Sequence, residues 1–102
     1  MENEMFQFMV EFTMPPVMND RFTSTIPAQR AKINQLFGTG KLVSYAVSLE
    51  NAKVWAVFNA ETEGEVNDLA QELPLTKYMK FVVSPLTFMN ILTARVPSFS
   101  VN

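Results

Sequence analysis

At 102 residues, with eight basic and ten acidic side chains, the chain fits one compact domain and lacks the positive field that nucleic-acid backbones call for. Almost half of it, 48%, is apolar, which excludes a disordered tail. Cysteine and histidine are both absent, which removes disulfides, thiolate metal sites, the commonest metal ligand and the one side chain that ordinarily titrates near neutrality. The chain shows no glycine-rich phosphate loop, metal constellation or nucleophile triad either, so no metal or cofactor site is expected and any proton transfer falls to Glu, Asp, Lys, Tyr or water. The opening Met1-Glu2-Asn3-Glu4 is acidic where a secretory signal is basic and then apolar, and no apolar run is long enough to cross a bilayer. These features predict a cytoplasmic protein with neither a membrane nor a nucleic-acid partner.

From Met5 to Thr13, Phe6, Phe8, Val10 and Phe12 alternate with Gln7, Met9, Glu11 and Thr13, the period of a strand. Pro15-Pro16 ends it, since neither residue can donate to a ladder. Phe22, Ile26, Ile33, Leu36 and Phe37 then mark one stripe of a helix from about Met18 to Phe37. Pro27 interrupts the pattern. Either the helix kinks there, or the main helix starts with Thr25 as its cap and Pro27 in the first turn. Gly38-Thr39-Gly40 punctuates the end.

Lys41 to Leu49 and Ala52 to Ala60 are rich in branched and aromatic residues, with Glu50-Asn51 between them. This predicts a hairpin in which Asn51 takes the left-handed conformation of the turn. A two-residue loop sets Val47 against Val54, Tyr45 against Ala56 and Val43 against Phe58. Leu42, Ser44, Ala46 and Ser48 then share the other face with Lys53, Trp55, Val57 and Asn59, unless a bulge changes the partners.

Thr62-Glu63-Gly64-Glu65 fits a capping box, and Val66, Leu69, Ala70 and Leu73 continue it as an apolar helical face. Pro74 ends that helix, because its ring disfavours helical geometry at Leu73 and its nitrogen carries no hydrogen. Tyr78 to Ser84 restarts as a strand with Met79, Phe81 and Val83 on one side.

Strand, helix, strand, strand, helix, strand with right-handed crossovers gives an α+β, ferredoxin-like sheet of four antiparallel strands, with both helices on one face. The other face carries Met9, Trp55, Val57 and Val82 among polar residues, and a second copy of the chain is expected to cover it. Residues 1–86 form the domain. Residues 87–102 form a tail with Phe88, Met89, Ile91, Leu92 and Phe99, expected to pack on a neighbouring subunit.

Leu73-Pro74-Leu75 followed by Tyr78-Met79, the preceding short helix, the strand "VFNA" (Val57 to Ala60) and Gly40 after the first helix together resemble the muconolactone isomerase family of the dimeric α+β barrel superfamily. The resemblance spans residues 5 to 86. It implies two four-stranded sheets meeting face to face, assemblies built from such homodimers, and cofactor-independent movement of a proton beside the carbonyl of a small unsaturated lactone.

Glu11 is the candidate general base: a partner covering its face would desolvate it and raise its pKa toward neutrality. The alternative is a carboxylate paired with Lys53 or Lys80. Lys53, Trp55, Asn59 and Lys80 are candidate substrate-binding residues, offering cations and an amide to an oxygen and an indole to an apolar body. Tyr45 and Tyr78 are candidate donors to the same oxygen. Ordinary packing is the commoner role for a strand tryptophan such as Trp55 and the simpler one for Tyr78. The methionines at 5, 9, 14, 18, 79 and 89 are suited to an adaptable pocket or to core filling. "KVWAVFNA" (Lys53 to Ala60) approaches the aromatic strand of an RNA recognition motif, but it lacks the glycine and has valine where the second stacking aromatic belongs.

Three readings follow. The first is an isomerase acting on a small lactone or related carbonyl compound; the second is a non-catalytic dimeric binding or assembly module; the third is a cofactor-free monooxygenase.

Overall fold

The computed structural model describes residues 5–92. The order is β1 (Phe6–Thr13), α1 (Asp20–Gly38), β2 (Leu42–Ser48), β3 (Lys53–Ala60), α2 (Glu63–Glu72), a short 3-10 turn (Pro74–Tyr78) and β4 (Lys80–Pro85). The strands form one antiparallel sheet in the order β2-β3-β1-β4, as expected for the split β-α-β arrangement. Both helices cover one face. The core between them and the sheet includes Val10, Phe12, Phe58, Val66 and Leu73, none more than 1% exposed; each such side chain is worth about 1.5–3 kcal/mol of burial. Among the described residues no helix is long and apolar enough to cross a membrane.

Helix α1 neither breaks nor starts at Pro27. Its cap is Asn19, whose Oδ1 accepts from the Phe22 amide at 3.0 Å, and Asn is a stronger cap than Thr. Thr25, expected as the cap, instead donates its hydroxyl to the Arg21 carbonyl at 2.7 Å. Pro27 sits on the exposed side of the helix, and the one carbonyl it deprives, that of Thr23, is also at the surface. At the other end Gly40, at φ +77°, lets the Lys41 and Gly40 amides reach back to the carbonyls of Leu36 and Phe37, a paired closure that favours glycine.

The hairpin keeps the expected register at Val47–Val54 and Tyr45–Ala56 but not beyond it. A bulge between Leu42 and Ser44 sets Leu42, rather than Val43, opposite Phe58. Leu42 therefore turns into the helix-side core, 2% exposed, instead of joining the other face. In the turn the left-handed residue is Ala52, at φ 56°, not Asn51. Ala52 is held there from both sides: its amide donates to the Leu49 carbonyl at 3.2 Å and its carbonyl accepts from Met14 at 2.9 Å.

Helix α2 begins as its capping signature requires, with Thr62 Oγ1 accepting from the Glu65 amide at 3.1 Å. The Glu65 carboxylate reaches back to the Glu61 amide at 2.9 Å and pairs with Lys41 at 3.1 Å. The Glu61 amide first, then Lys41, holds that carboxyl below its ordinary value. After Pro74 the chain makes one tight turn before the last strand, so Tyr78 lies in the turn and β4 begins at Lys80. The Leu86 amide donates to the Gln7 carbonyl at 2.9 Å, carrying the chain onward beside β1. Phe88, Ile91 and Leu92 are exposed; Phe99 and the rest of the tail beyond Leu92 lie outside the described residues.

Restoring the missing amide in α1 is expected to stabilise the protein. Pro27→Ala should raise the unfolding free energy by about 1–2 kcal/mol, the helix gain less the freedom returned to the unfolded chain. Chemical denaturation measures it, and a lower midpoint for the variant would refute the account.

Candidate functional site

The strand alternation separates the candidate residues onto the two faces of the sheet. On the face away from the helices, β1 and β3 place Glu11 opposite Trp55 and Thr13 opposite Lys53, while β4 adds Lys80 opposite Thr13 and Val82 opposite Glu11. The Trp55 indole N–H donates to Glu11 Oε1 at 3.1 Å, and Lys53 Nζ lies 3.0 Å from Glu11 Oε2 while donating to Thr13 Oγ1 at 2.9 Å. The bond from Lys53, then that from Trp55, holds the Glu11 carboxyl below its ordinary value of 4.5. In the single chain this reverses the upward shift expected of a general base, because the side chain is 44% exposed and two donors favour its charged form. Asn59 shares the face but belongs to its other end, four residues or about 13 Å along β3 from Trp55. There it accepts from Gln7 at 3.4 Å and donates to the Gly40 carbonyl at 2.9 Å.

The helix face holds a concavity. A cleft of about 500 Å³ opens between α1 and the β2–β3 hairpin. Its lining is largely apolar, with Phe22, Ile33, Val47 and Val54 among the residues, and its polar members are Gln29, Arg30, Asn34 and Tyr45. Met14, Met18 and Met79 line it as well, so three of the six methionines marked as suited to a pocket meet in one place.

Tyr45 reaches this cleft because the hairpin register puts it opposite Ala56 on the core side. Its hydroxyl oxygen accepts from Gln29 Nε2 at 3.0 Å, and Gln29 Oε1 accepts from the Leu75 amide at 2.9 Å. Burial pushes the Tyr45 hydroxyl above its ordinary 10.0, and the bond from Gln29 offsets part of that. Tyr78 does not line the cleft. It packs tilted against Phe22, ring centroids 5.8 Å apart, with the Lys77 ammonium 5.4 Å from its own ring centre. Of the candidates, then, Glu11, Lys53 and Trp55 are in mutual contact, Lys80 flanks them, Asn59 stands apart on the same face, and Tyr45 and Tyr78 belong to the opposite side. Among the described residues no group of acidic side chains is arranged to hold a metal ion.

A family model described as muconolactone delta-isomerase matches residues 5–89. The chain belongs to that family. A crystal structure of muconolactone isomerase superposes with a TM-score of 0.64 at 22% identity, over 94% of this chain and 95% of that one, which shows a shared fold. No curated protein sequence matches the chain. For this member of the muconolactone delta-isomerase family, the polar side chains of the cleft that the sequence did not single out are Gln29, Arg30 and Asn34. Gln29 had a signal: it occupies the apolar stripe of α1, three residues after Ile26 and four before Ile33, where a solvated amide has no place. Arg30 and Asn34 had none, since cations and amides on an exposed helix flank are ordinary.

The Glu11 pairing sets a pH dependence. A carboxyl whose folded value is depressed contributes stability that is full above its ordinary value and is lost as the pH falls through the folded one. Stability is therefore expected to decline as the pH drops below about 5, and Glu11→Gln should flatten part of that acid limb. Denaturation midpoints measured from neutral pH downward provide the check; an unchanged acid limb in the variant would show that the pairing contributes nothing.

Proposed function

We propose that the chain binds a small, largely apolar, lactone-like carbonyl compound in the cleft beside α1 and, in keeping with its isomerase family, moves a proton next to that carbonyl without a cofactor. One observation supports the choice of site: a largely apolar hollow of about 500 Å³ with four polar side chains, Gln29, Arg30, Asn34 and Tyr45, in its lining, the usual make-up of a small-molecule pocket. The apolar lining holds the body of the ligand, and the polar side chains orient its oxygen.

The lining of the cleft contains neither a carboxylate nor an imidazole, and this favours a second reading, binding without turnover. In the first reading the proton goes to bound water or to a carboxylate from outside the cleft. Glu11 lies across the sheet and serves as base only in an assembly that encloses its face. The exposed Val82 and half-buried Trp55 and Met9 of that face supply the contact for the homodimer we propose, although Val57, at 1% exposed, is already covered within the single chain.

Incubation with a β,γ-unsaturated five-membered lactone, followed by the ultraviolet absorbance of the conjugated product, separates the readings. Val47 lines the cleft and is 51% exposed, so Val47→Trp is expected to fill the hollow without unfolding the protein and to reduce both binding and conversion about tenfold or more. A fall of about 100-fold in Glu11→Gln would identify that carboxylate as the base, and saturable binding with no conversion would establish the binding module. Unaltered binding by Val47→Trp would remove the cleft from consideration.

A further inference from the structure

Gln29 is 3% exposed, and both ends of its amide are engaged. The Leu75 backbone N–H can only donate, so the atom facing it at 2.9 Å is the Gln29 oxygen. The reverse orientation would set an NH₂ group against an N–H. With its oxygen committed, Gln29 presents Nε2 to Tyr45 at 3.0 Å, and Nε2 can only donate. The Tyr45 oxygen must therefore accept. Its own proton is left over: among the described residues the hydroxyl donates to nothing, while both side chains border the cleft. One backbone amide thus fixes the direction of two hydrogen bonds and leaves a free donor at the end of the series.

We propose that Gln29 is a positioning residue that presets Tyr45 as a hydrogen-bond donor, so that the cleft selects ligands carrying an acceptor oxygen over ligands of the same shape that can only donate. The proposal rests on the cleft being the ligand site, as argued above. The chemical class it names is the carbonyl or carboxylate oxygen. Burial keeps the phenol protonated through the neutral range, so the donor is present wherever the protein is folded near neutrality. Its bond strengthens as the bound oxygen gains negative charge, because a donor already aimed at that oxygen needs no reorganisation. A bulky apolar residue in place of Gln29 would leave the Leu75 amide unpaired. Gln29→Glu keeps an acceptor for Leu75 but can no longer donate to Tyr45, so the Tyr45 proton turns to the carboxylate and the phenol oxygen faces the cleft with lone pairs.

Two neutral five-membered rings make the test: cyclopent-2-enone, which only accepts, and pyrrole, whose N–H only donates. Binding is followed through the methyl resonances of Ile33 and Val47, both in the cleft wall. The full-length protein is expected to prefer the enone about tenfold, Tyr45→Phe to bring the two probes within about twofold of each other, and Gln29→Glu to prefer pyrrole. The enone preference surviving unchanged in folded Gln29→Glu or in Tyr45→Phe would overturn the proposal while leaving the cleft as a pocket. Failure of both probes to shift the cleft methyls would instead overturn the pocket reading. A readout free of ligand then decides the relay itself. A scalar coupling through the hydrogen bond between the Leu75 amide nitrogen and the Gln29 side-chain carbonyl carbon is expected, and its absence would show that the series does not start where we place it.

Discussion

The Leu75 amide is the joint on which the helix side of the molecule depends. Pro74 stops α2 because it has no hydrogen to donate and because Leu73 before it is held extended, at φ −74° and ψ 125°. The chain then turns too tightly for α-helical bonding. Within the turn the Thr76 amide reaches Leu73, the Met79 amide reaches Thr76, and the Thr76 hydroxyl closes onto the Ala70 carbonyl at 2.6 Å. Leu75 is 6% exposed, and its amide finds its partner outside the turn, on α1. Left unpaired it would cost about 1–3 kcal/mol. Meeting that need with Gln29 ties the turn to α1, and the far end of the same amide ties α1 to β2 through Tyr45. Three segments distant in sequence are held by two side chains.

The two faces of the sheet answer the problem of polarity in opposite ways. On the face away from the helices Glu11 and Lys53 remain partly in water, where the charged forms are stable and an ion pair adds little. Their neighbours on the same strands, Val10, Phe12 and Val54, are at most 4% exposed, so alternation alone sets charge on one side of β1 and hydrocarbon on the other. On the helix face the polar pair of the cleft, buried Gln29 and half-buried Tyr45, is neutral. A carboxylate at position 29 would be desolvated and could satisfy Leu75 only by giving up the donation to Tyr45. An amide accepts and donates at once, which is what the backbone on one side and the phenol on the other require.

Much of this was legible in the order of residues. The period of β1, the Thr62 cap, the apolar face of α2, the stop at Pro74 and the central hairpin pairs each follow from a local rule, and together they fix the topology; the family came only through the resemblance carried by Leu73-Pro74-Leu75 and Tyr78-Met79. What the chain hid was set by tertiary contact. Leu42 enters the core only because a bulge shifts β2 by one residue. Ala52 takes a conformation suited to asparagine or glycine because β1's exit and the turn hold it at both ends. Thr25 before Pro27 imitates a helix start, yet the stripe from Phe22 to Leu36 continues through the proline, and its burial outweighs one lost hydrogen bond on the exposed side. The split of the candidate residues between faces was implicit in strand parity. Glu11 and Tyr45 fall on opposite sides of the same sheet, so no single cleft in the isolated chain could have used both.

Shape and direction contribute unequally to recognition in such a cleft. Met14, Met18 and Met79 are among its lining residues, and thioether side chains adapt to many outlines at small cost, so the apolar lining cannot discriminate sharply among apolar bodies. A missing or added methylene against apolar walls changes binding by only about 1–3 kcal/mol. The polar corner is different in kind. Gln29 is locked by a backbone amide within a proline-initiated turn, and a ligand that presents the wrong polarity to Tyr45 leaves two donors facing each other away from water. A soft lining combined with a rigid polar corner tolerates variation in the hydrocarbon while fixing where the oxygen sits, and the position of that oxygen is what chemistry beside a carbonyl depends on.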